Sequence, residues 1–262
     1  MQTVTHDGRE TAYRFTNPDE TGPTILYVHG SGGNHQAWVR QYAPQALGYP
    51  SVALDLSGHG HSEDIETEPG PETLAAYARD VTAVARETDA DVLVGNSLGG
   101  AVVFEVILSD LFDPAAAVFV GTGAKLAVNE QLRTLLSADF EAAVEQLHQP
   151  SMLFASADER TLERSKAAMR EAGQRVTRRD FLTCHQFDVR DRLGAVDVPS
   201  LAVVGEHDRL TPPEYHTYLA ENLPDCEYAC LEGGGHLVML EQHEAFNSCL
   251  GEFTENVVID SS

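Results

Sequence analysis

Short apolar runs recur along the chain, and longer amphipathic segments separate several of them. Each run has the length of a buried strand, and they cover residues 24–28, 51–54, 92–95, 115–120 and 200–204. Segment 72–87 has helical periodicity instead. Its apolar side is formed by Leu74, Tyr77, Ala78, Val81 and Val84. Strands that are apolar throughout are typical of parallel sheets covered by helices on both faces. The pattern therefore predicts an α/β protein.

The remaining segments vary around this pattern. Residues 4–6 and 11–15 predict an opening hairpin, residues 226–231 alternate like a strand, and residues 213–222 and 237–253 predict the last two helices. Strand signals stop from Thr122 to about Leu193. That stretch contains four segments of helical character, at 129–136, 138–148, 158–172 and 176–184. The strand pattern resumes near Val198.

Candidate chemistry lies where the run 92–95 ends. Gly95-Asn96-Ser97-Leu98-Gly99 separates this strand from an apolar helical pattern that continues to Leu108. A strand, a tight turn with Gly-x-Ser-x-Gly, and a helix form the context of a nucleophile elbow. The strained turn requires small residues two positions before and after the serine, and both are glycine here. We expect Ser97 to expose its hydroxyl and the Leu98 N–H to face a developing oxyanion.

A serine nucleophile needs a base and an acid that orients the base, and in this context they follow in the order acid, then histidine. Strand 200–204 is followed by Gly-Glu-His-Asp, which ends at Asp208. Strand 226–231 is followed by Glu-Gly-Gly-Gly-His, which ends at His236. We assign Ser97 as nucleophile, His236 as general base and acid, and Asp208 as the orienting acid. Glu206 is the alternative acid.

These motifs, together with Tyr-Val-His-Gly-Ser-Gly-Gly at 27–33 and Asp-Leu-Ser-Gly-His-Gly-His-Ser at 55–62, resemble the α/β-hydrolase superfamily in its esterase, lactonase and C–C hydrolase branch. The resemblance covers nearly the whole chain. It implies a mostly parallel central sheet flanked by helices, with a helical cap inserted at 123–193 and a core formed by 1–122 and 194–262. Asn96 stands where many relatives have histidine.

The resemblance also implies an oxyanion hole and a substrate pocket. The loop after His29-Gly30 should supply the second oxyanion donor, with the N–H of Ser31 the first choice and that of Gly32 the second. The inner face of the cap should select the substrate. Its candidate lining residues are Met152, Phe154, Phe181 and Phe187. These apolar side chains could equally attach the cap to the core.

The expected reaction is hydrolysis of a small-molecule carboxylic ester, thioester or lactone through an acyl-enzyme. Hydrolysis of a C–C bond in a β-diketone or ring-fission product is an alternative, because those enzymes share the triad. A ligand receptor that retains the triad is another. The sequence contains no His-Glu-x-x-His run, phosphate loop or dinucleotide fingerprint, so neither a metal nor a cofactor is expected.

Charge adds one further expectation. The chain has 41 acidic and 17 basic residues, a net charge of −24, with lysine only at positions 125 and 166. Self-repulsion of this size destabilises a compact state, and salt screens it. We therefore expect a protein from a halophile, with an ordinary acidic enzyme as the alternative. Such a charge argues against binding to nucleic acid or to an anionic membrane.

Four cysteines without a disulfide-type spacing, and an N-terminal segment without a secretory signal pattern, favour a cytoplasmic location. We expect a monomer or a homodimer.

Overall fold

A mixed eight-stranded sheet forms the centre of the molecule. The computed structural model describes residues 1–43 and 46–259, so the predicted core boundary at residue 262 lies outside it. The strand order is β1-β2-β4-β3-β5-β6-β7-β8, and only the pairs β1–β2 and β2–β4 are antiparallel. The strands are β1 (Gln2–His6), β2 (Arg9–Thr16), β3 (Ile25–Val28), β4 (Ser51–Leu54), β5 (Val92–Asn96), β6 (Ala116–Val120), β7 (Ser200–Gly205) and β8 (Cys226–Leu231).

Alternate residues of the central strands supply two hydrophobic cores. In β3, Leu26 and Val28 pack on the face covered by helices α1 (Pro71–Glu87) and α2 (Leu98–Leu108). Ile25 and Tyr27 pack on the opposite face, with Trp38 and the C-terminal helix α8 (His243–Thr254). Burial on both faces explains why these strands are apolar without interruption.

Three helices lie between β6 and β7. They are α3 (Glu130–Ala138), α4 (Phe140–Leu147) and α5 (Glu159–Gln186). Gly173 interrupts α5 with non-helical angles (φ 78°, ψ 168°), at the gap between the predicted segments 158–172 and 176–184. Helices α3 to α5 form their own apolar cluster, separate from the two sheet cores.

The C-terminal helical region differs from the prediction. The sequence predicts one helix over 237–253, but the chain forms α7 (Val238–Glu241) and then α8. Gln242 separates them, because its backbone is not helical (φ −113°, ψ 45°). Helix α6 (Pro213–Asn222) coincides with its predicted range. Within the described residues, no helix is both long and apolar enough to cross a membrane.

Candidate active site

Ser97 occupies the turn between β5 and α2 in a strained conformation. Its backbone lies in a region that side chains rarely adopt (φ 55°, ψ −114°). The Ser97 N–H donates to the carbonyl of Val120 on the neighbouring strand at 2.9 Å. The turn therefore holds the serine at the carboxyl end of the sheet, where open α/β sheets place their ligand sites.

Steric contacts explain why glycine occupies positions 95 and 99, on either side of Ser97. A Cβ atom on Gly95 would collide with the backbone of Gly99. A Cβ on Gly99 would collide with the carbonyl oxygen of Val28 on the adjacent strand. Gly95 thus allows the tight turn from β5 into α2, and Gly99 allows the close approach of α2 to β3.

Asp208 and His236 form a buried hydrogen-bonded pair at the ends of β7 and β8. The distance between His236 Nδ1 and Asp208 Oδ2 is 2.9 Å. Asp208 also accepts the N–H groups of Leu210 (2.8 Å) and Thr211 (2.9 Å) and the Thr211 hydroxyl (2.8 Å). Burial alone would raise the pKa of Asp208, but His236 and the two donors of Thr211 lower it below its ordinary value. The carboxylate is therefore ionised and aimed at one ring nitrogen of His236.

Ser97 and His236 line the same cavity, which has a volume of about 990 Å³. Among the described residues, no hydrogen bond joins Ser97 Oγ to His236. Catalytic hydrogen bonds are often long without substrate and tighten in the Michaelis complex. Asn96, which precedes the serine, donates from its Nδ2 atom to the carbonyl oxygens of Val120 (3.1 Å) and His236 (3.5 Å).

The two candidate donors of the loop after β3 differ in their hydrogen bonds. The Gly32 N–H donates to Asp180 Oδ2 on helix α5 at 2.9 Å. The N–H groups of Ser31 and Leu98 have no acceptor among the described residues. The Leu98 N–H begins a helix and so lacks an intrahelical partner. Gly32 is thus engaged elsewhere, and Ser31 is the donor that remains available.

Asp180 is a fully buried carboxylate that connects α5 to three parts of the core. Besides Gly32, it accepts hydrogen bonds from His59 Nε2 (2.8 Å) and from the Tyr77 hydroxyl (2.7 Å). Burial would lower the pKa of His59, but the charge of Asp180 and their hydrogen bond raise it above its ordinary value. Burial would raise the pKa of Asp180, and His59, Tyr77 and the Gly32 N–H together lower it. Both shifts favour the charged forms of the pair.

The neighbouring Arg179 also turns toward the core. Its guanidinium donates to the carbonyl oxygens of Ile65 (2.8 Å) and Ser57 (3.2 Å) and forms an ion pair with Asp64. Arg179 and Asp180 thus attach the second half of α5 to the loop after β4. Neither of these charged groups is left available for a substrate.

Of the four predicted pocket residues, only Phe181 is among those that line the cavity. Phe181 lines the cavity, and so do Leu153 and Met169. Phe187 instead packs in the sheet core, with its ring centroid 6.2 Å from that of Phe104. Phe154 is buried in the apolar cluster of α3 to α5, and Met152 is half-buried beside it in the chain. For Phe187 and Phe154, attachment of structural elements is the function that the packing supports.

Several cavity residues are absent from the sequence-based list. Thr211 lines the cavity and donates to Asp208, and Leu210 and Leu237 adjoin the proposed acid and base. Their positions next to Asp208 and His236 in the chain could have signalled them. Five arginines also line the cavity. They come from distant segments, so no local motif indicates them.

One further cluster offers potential metal ligands. His35, Asp55 and His61 bring three ligand atoms within 4.8 Å of one another. Each oxygen of Asp55 already accepts a backbone N–H and a ring nitrogen, from His35 on one side and His61 on the other. Burial would raise the pKa of Asp55, and His35 lowers it well below its ordinary value. The ionised carboxylate of Asp55 therefore holds the loops after β3 and β4 together.

The sheet order, the serine on a strained turn and the buried acid–histidine pair are together the arrangement of an α/β-hydrolase fold. The chain belongs to the alpha/beta hydrolase family, whose model matches residues 25–248. The predicted fold class is thereby confirmed.

Named relatives point to hydrolases. A pimeloyl-(acyl-carrier protein) methyl ester esterase of Neisseria meningitidis is 26% identical over 262 residues, which cover 95% of this chain and 82% of the relative. A protein of Azorhizobium caulinodans named as a carbamate hydrolase, RutD, is 29% identical over 245 residues, covering 87% and 90%. The solved structure of a thermophilic esterase is 30% identical, with a TM-score of 0.85 and 98% of each chain covered.

Proposed function

We propose that this protein is a serine hydrolase that cleaves a small carboxylic ester through an acyl-enzyme. The observation that carries the proposal is that Ser97, on its strained turn, opens into the same cavity as the buried His236–Asp208 pair. The similarity to esterases supports the class of bond.

The three residues have distinct roles. Ser97 Oγ attacks the ester carbonyl while His236 Nε2 accepts the hydroxyl proton. Asp208 bonds Nδ1, which holds the ring in the tautomer with Nε2 free and stabilises the imidazolium that forms. His236 then protonates the leaving alkoxide as the C–O bond breaks. A water molecule, deprotonated by His236, attacks the acyl-enzyme and releases the acid.

The negative charge on the carbonyl oxygen needs two donors. We assign them to the N–H groups of Leu98 and Ser31, which lack protein acceptors among the described residues. Losing one such donor typically costs about 3 kcal/mol of transition-state stabilisation. The bond between Gly32 and Asp180 keeps the next peptide of the loop in place.

The helices between β6 and β7 cover the cavity in this proposal. We place the cap at 123–193, within the segment that contains α3 to α5. Leu153 and Met169 from this segment line the cavity together with Ser97. A cap excludes water until the substrate is positioned.

The test is turnover of p-nitrophenyl esters, from acetate to long acyl chains, by the wild type and by Ser97→Ala. We expect rapid turnover that the substitution abolishes, with a burst of p-nitrophenol equal to the enzyme concentration if deacylation is slow. Ser109→Ala is the matched control, because Ser109 lies at the far end of α2 and bonds Glu105.

Activity that survives in Ser97→Ala would refute the assigned nucleophile. A folded wild type that hydrolyses none of the esters would refute the proposed reaction.

We also propose that the protein is adapted to high salt. The support is the net charge of −24 with only two lysines in 262 residues. Screening of such a charge by molar salt would stabilise the folded state.

A further inference from the structure

The charged residues that line the proposed catalytic cavity are mainly basic, although the chain as a whole is acidic. Acidic residues outnumber basic ones by 41 to 17 overall. The charged residues that line the cavity are instead five arginines and one aspartate. They are Arg14, Arg40, Arg160, Arg164, Arg209 and Asp158. The aspartate is engaged locally, because its carboxylate accepts the Thr161 N–H at 2.7 Å and caps α5.

None of these five arginines has an acidic partner among residues 1–43 and 46–259. All five are exposed, and none forms an ion pair or donates a side-chain hydrogen bond to a described residue. Of the ten other arginines, nine donate a side-chain hydrogen bond to a described residue.

The five arginines come from three parts of the fold. Arg14 and Arg40 come from β2 and from the segment after Trp38, with the Arg14 guanidinium 5.6 Å from the ring centroid of Tyr42. Arg209 directly follows Asp208. Arg160 and Arg164 lie one turn apart in the first two turns of α5, so they share a face of that helix.

Local helix stability does not explain Arg160. The first turn of a helix carries partial positive charge and favours acidic side chains, so an arginine at the second position of α5 is mildly destabilising. Its positive charge adds to that of the helix end. An anion near Arg160 would be stabilised by both.

We infer that the substrate carries an anionic group, a carboxylate or a phosphate, at the end remote from the scissile ester. The guanidinium fork binds either group with paired hydrogen bonds. The same cavity is also lined by the apolar side chains Leu132, Leu153, Met169, Phe181 and Leu237. The preferred ester therefore has an apolar segment that separates the reacting carbonyl from the charge. This inference rests on the proposed ester hydrolysis.

The test compares two esters with the same acyl length, p-nitrophenyl octanoate and p-nitrophenyl hydrogen suberate, which carries a terminal carboxylate. We expect the wild type to have the higher kcat/KM for the suberate. Arg164→Gln should lower kcat/KM for the suberate about tenfold, or ~1.4 kcal/mol, and leave the octanoate unchanged. Arg79→Gln on α1 is the matched control, because Arg79 pairs with Asp7 away from the cavity.

Two inhibitors distinguish the sources of the charge. Suberate that competes with the octanoate more strongly than inorganic phosphate does indicates a carboxylate substrate, and the reverse order indicates a phosphorylated one. Both inhibitions should weaken in Arg164→Gln.

The outcomes separate this inference from the proposed function. Hydrolysis of octanoate with no advantage for the suberate, and equal effects of Arg164→Gln on both, would overturn the anionic substrate while ester hydrolysis stands. Hydrolysis of neither ester would refute the proposed function. Calorimetric titration of the wild type with suberate would then decide whether the arginines bind the anion. Absence of binding would overturn the inference of an anionic substrate as well.

Discussion

Replacement of Asp180 by asparagine tests the connection between helix α5 and the core. Asparagine preserves the size of the side chain and removes its charge. Asp180 accepts three hydrogen bonds, from Gly32, His59 and Tyr77, at 2.7 to 2.9 Å. The neutral amide can accept through one oxygen only, and its NH₂ group would face donors.

The magnitude follows from these contacts. Gly32 and His59 share Oδ2, so an amide oxygen in that place keeps both bonds and loses the one to Tyr77. A hydrogen bond to a charged group contributes about 1.5 to 3 kcal/mol. Removing one partner of a buried ion pair costs about 3 to 5 kcal/mol in general. For a domain of this size, about 3 kcal/mol corresponds to a decrease in Tm of roughly 6 to 12 °C.

The pH dependence provides a second signature of the pair. The pKa of His59 is raised above 6.5, so its contribution to the free energy of unfolding is complete below pH 6.5 and decreases as the pH rises through the raised pKa. The pKa of Asp180 is lowered below 3.8, so its contribution is complete above pH 3.8 and is lost as the pH falls through the lowered pKa. The difference between wild type and Asp180→Asn should therefore be largest between these two pH values and decrease above the upper one.

The assays are thermal unfolding, which gives Tm, and urea unfolding, which gives the free energy, for both proteins from pH 4 to 9, monitored by circular dichroism at one constant salt concentration. Glu171→Gln is the control, because Glu171 is an exposed acid on the same helix. A Tm of Asp180→Asn within 2 °C of the control, or a difference from wild type that is constant across this pH range, would refute the assigned role of the buried pair.

Three further predictions address the catalytic residues, the turn and the charge. Asp208→Asn should lower kcat by roughly 10⁴ without unfolding the protein, because His236 loses its preferred tautomer, and ester kinetics with a melting curve check this. Gly99→Ala should abolish ester turnover, because its Cβ would collide with the Val28 carbonyl, whereas Gly194→Ala has open space and should retain turnover. Raising KCl from 0.1 to 2 M should increase Tm, because salt screens a net charge of −24, and a Tm that is equally high at low salt would contradict salt adaptation.

Local features of the chain could be predicted where the cause is itself local. The turn around Ser97 follows from glycines two residues to either side, and the buried strands follow from uninterrupted apolar runs. The proximity of Asp208 and His236 could be predicted because each follows a strand whose carboxyl end lies at the same edge of the sheet. Their pairing in space is thus a consequence of chain order and sheet topology.

The direction of an apolar side chain in the segment between β6 and β7 could not be predicted in this way. Phe181 and Phe187 are six residues apart, and both are compatible with a pocket or a core. Phe181 lines the cavity, whereas Phe187 lies just past the end of α5 and packs against Phe104 of α2. The break at Gln242 is similar, because residues 237–253 have the pattern of one helix and nothing in that pattern indicates the non-helical backbone at Gln242.

The positive cavity is a third case. Its arginines are separated by up to 195 positions in the chain, between residues 14 and 209, and the overall composition indicates the opposite charge. Only the assembled fold brings them to one opening.

Gly173 divides α5 into two halves with different surroundings. The half after it holds Arg179 and Asp180, which are bonded to the loops after β3 and β4. The half before it carries Arg160 and Arg164 beside the cavity. Because the angles at Gly173 interrupt the helix, the two halves do not share one axis. A substitution at Arg160 or Arg164 therefore changes the lining of the cavity without removing a hydrogen bond that holds α5 to the core.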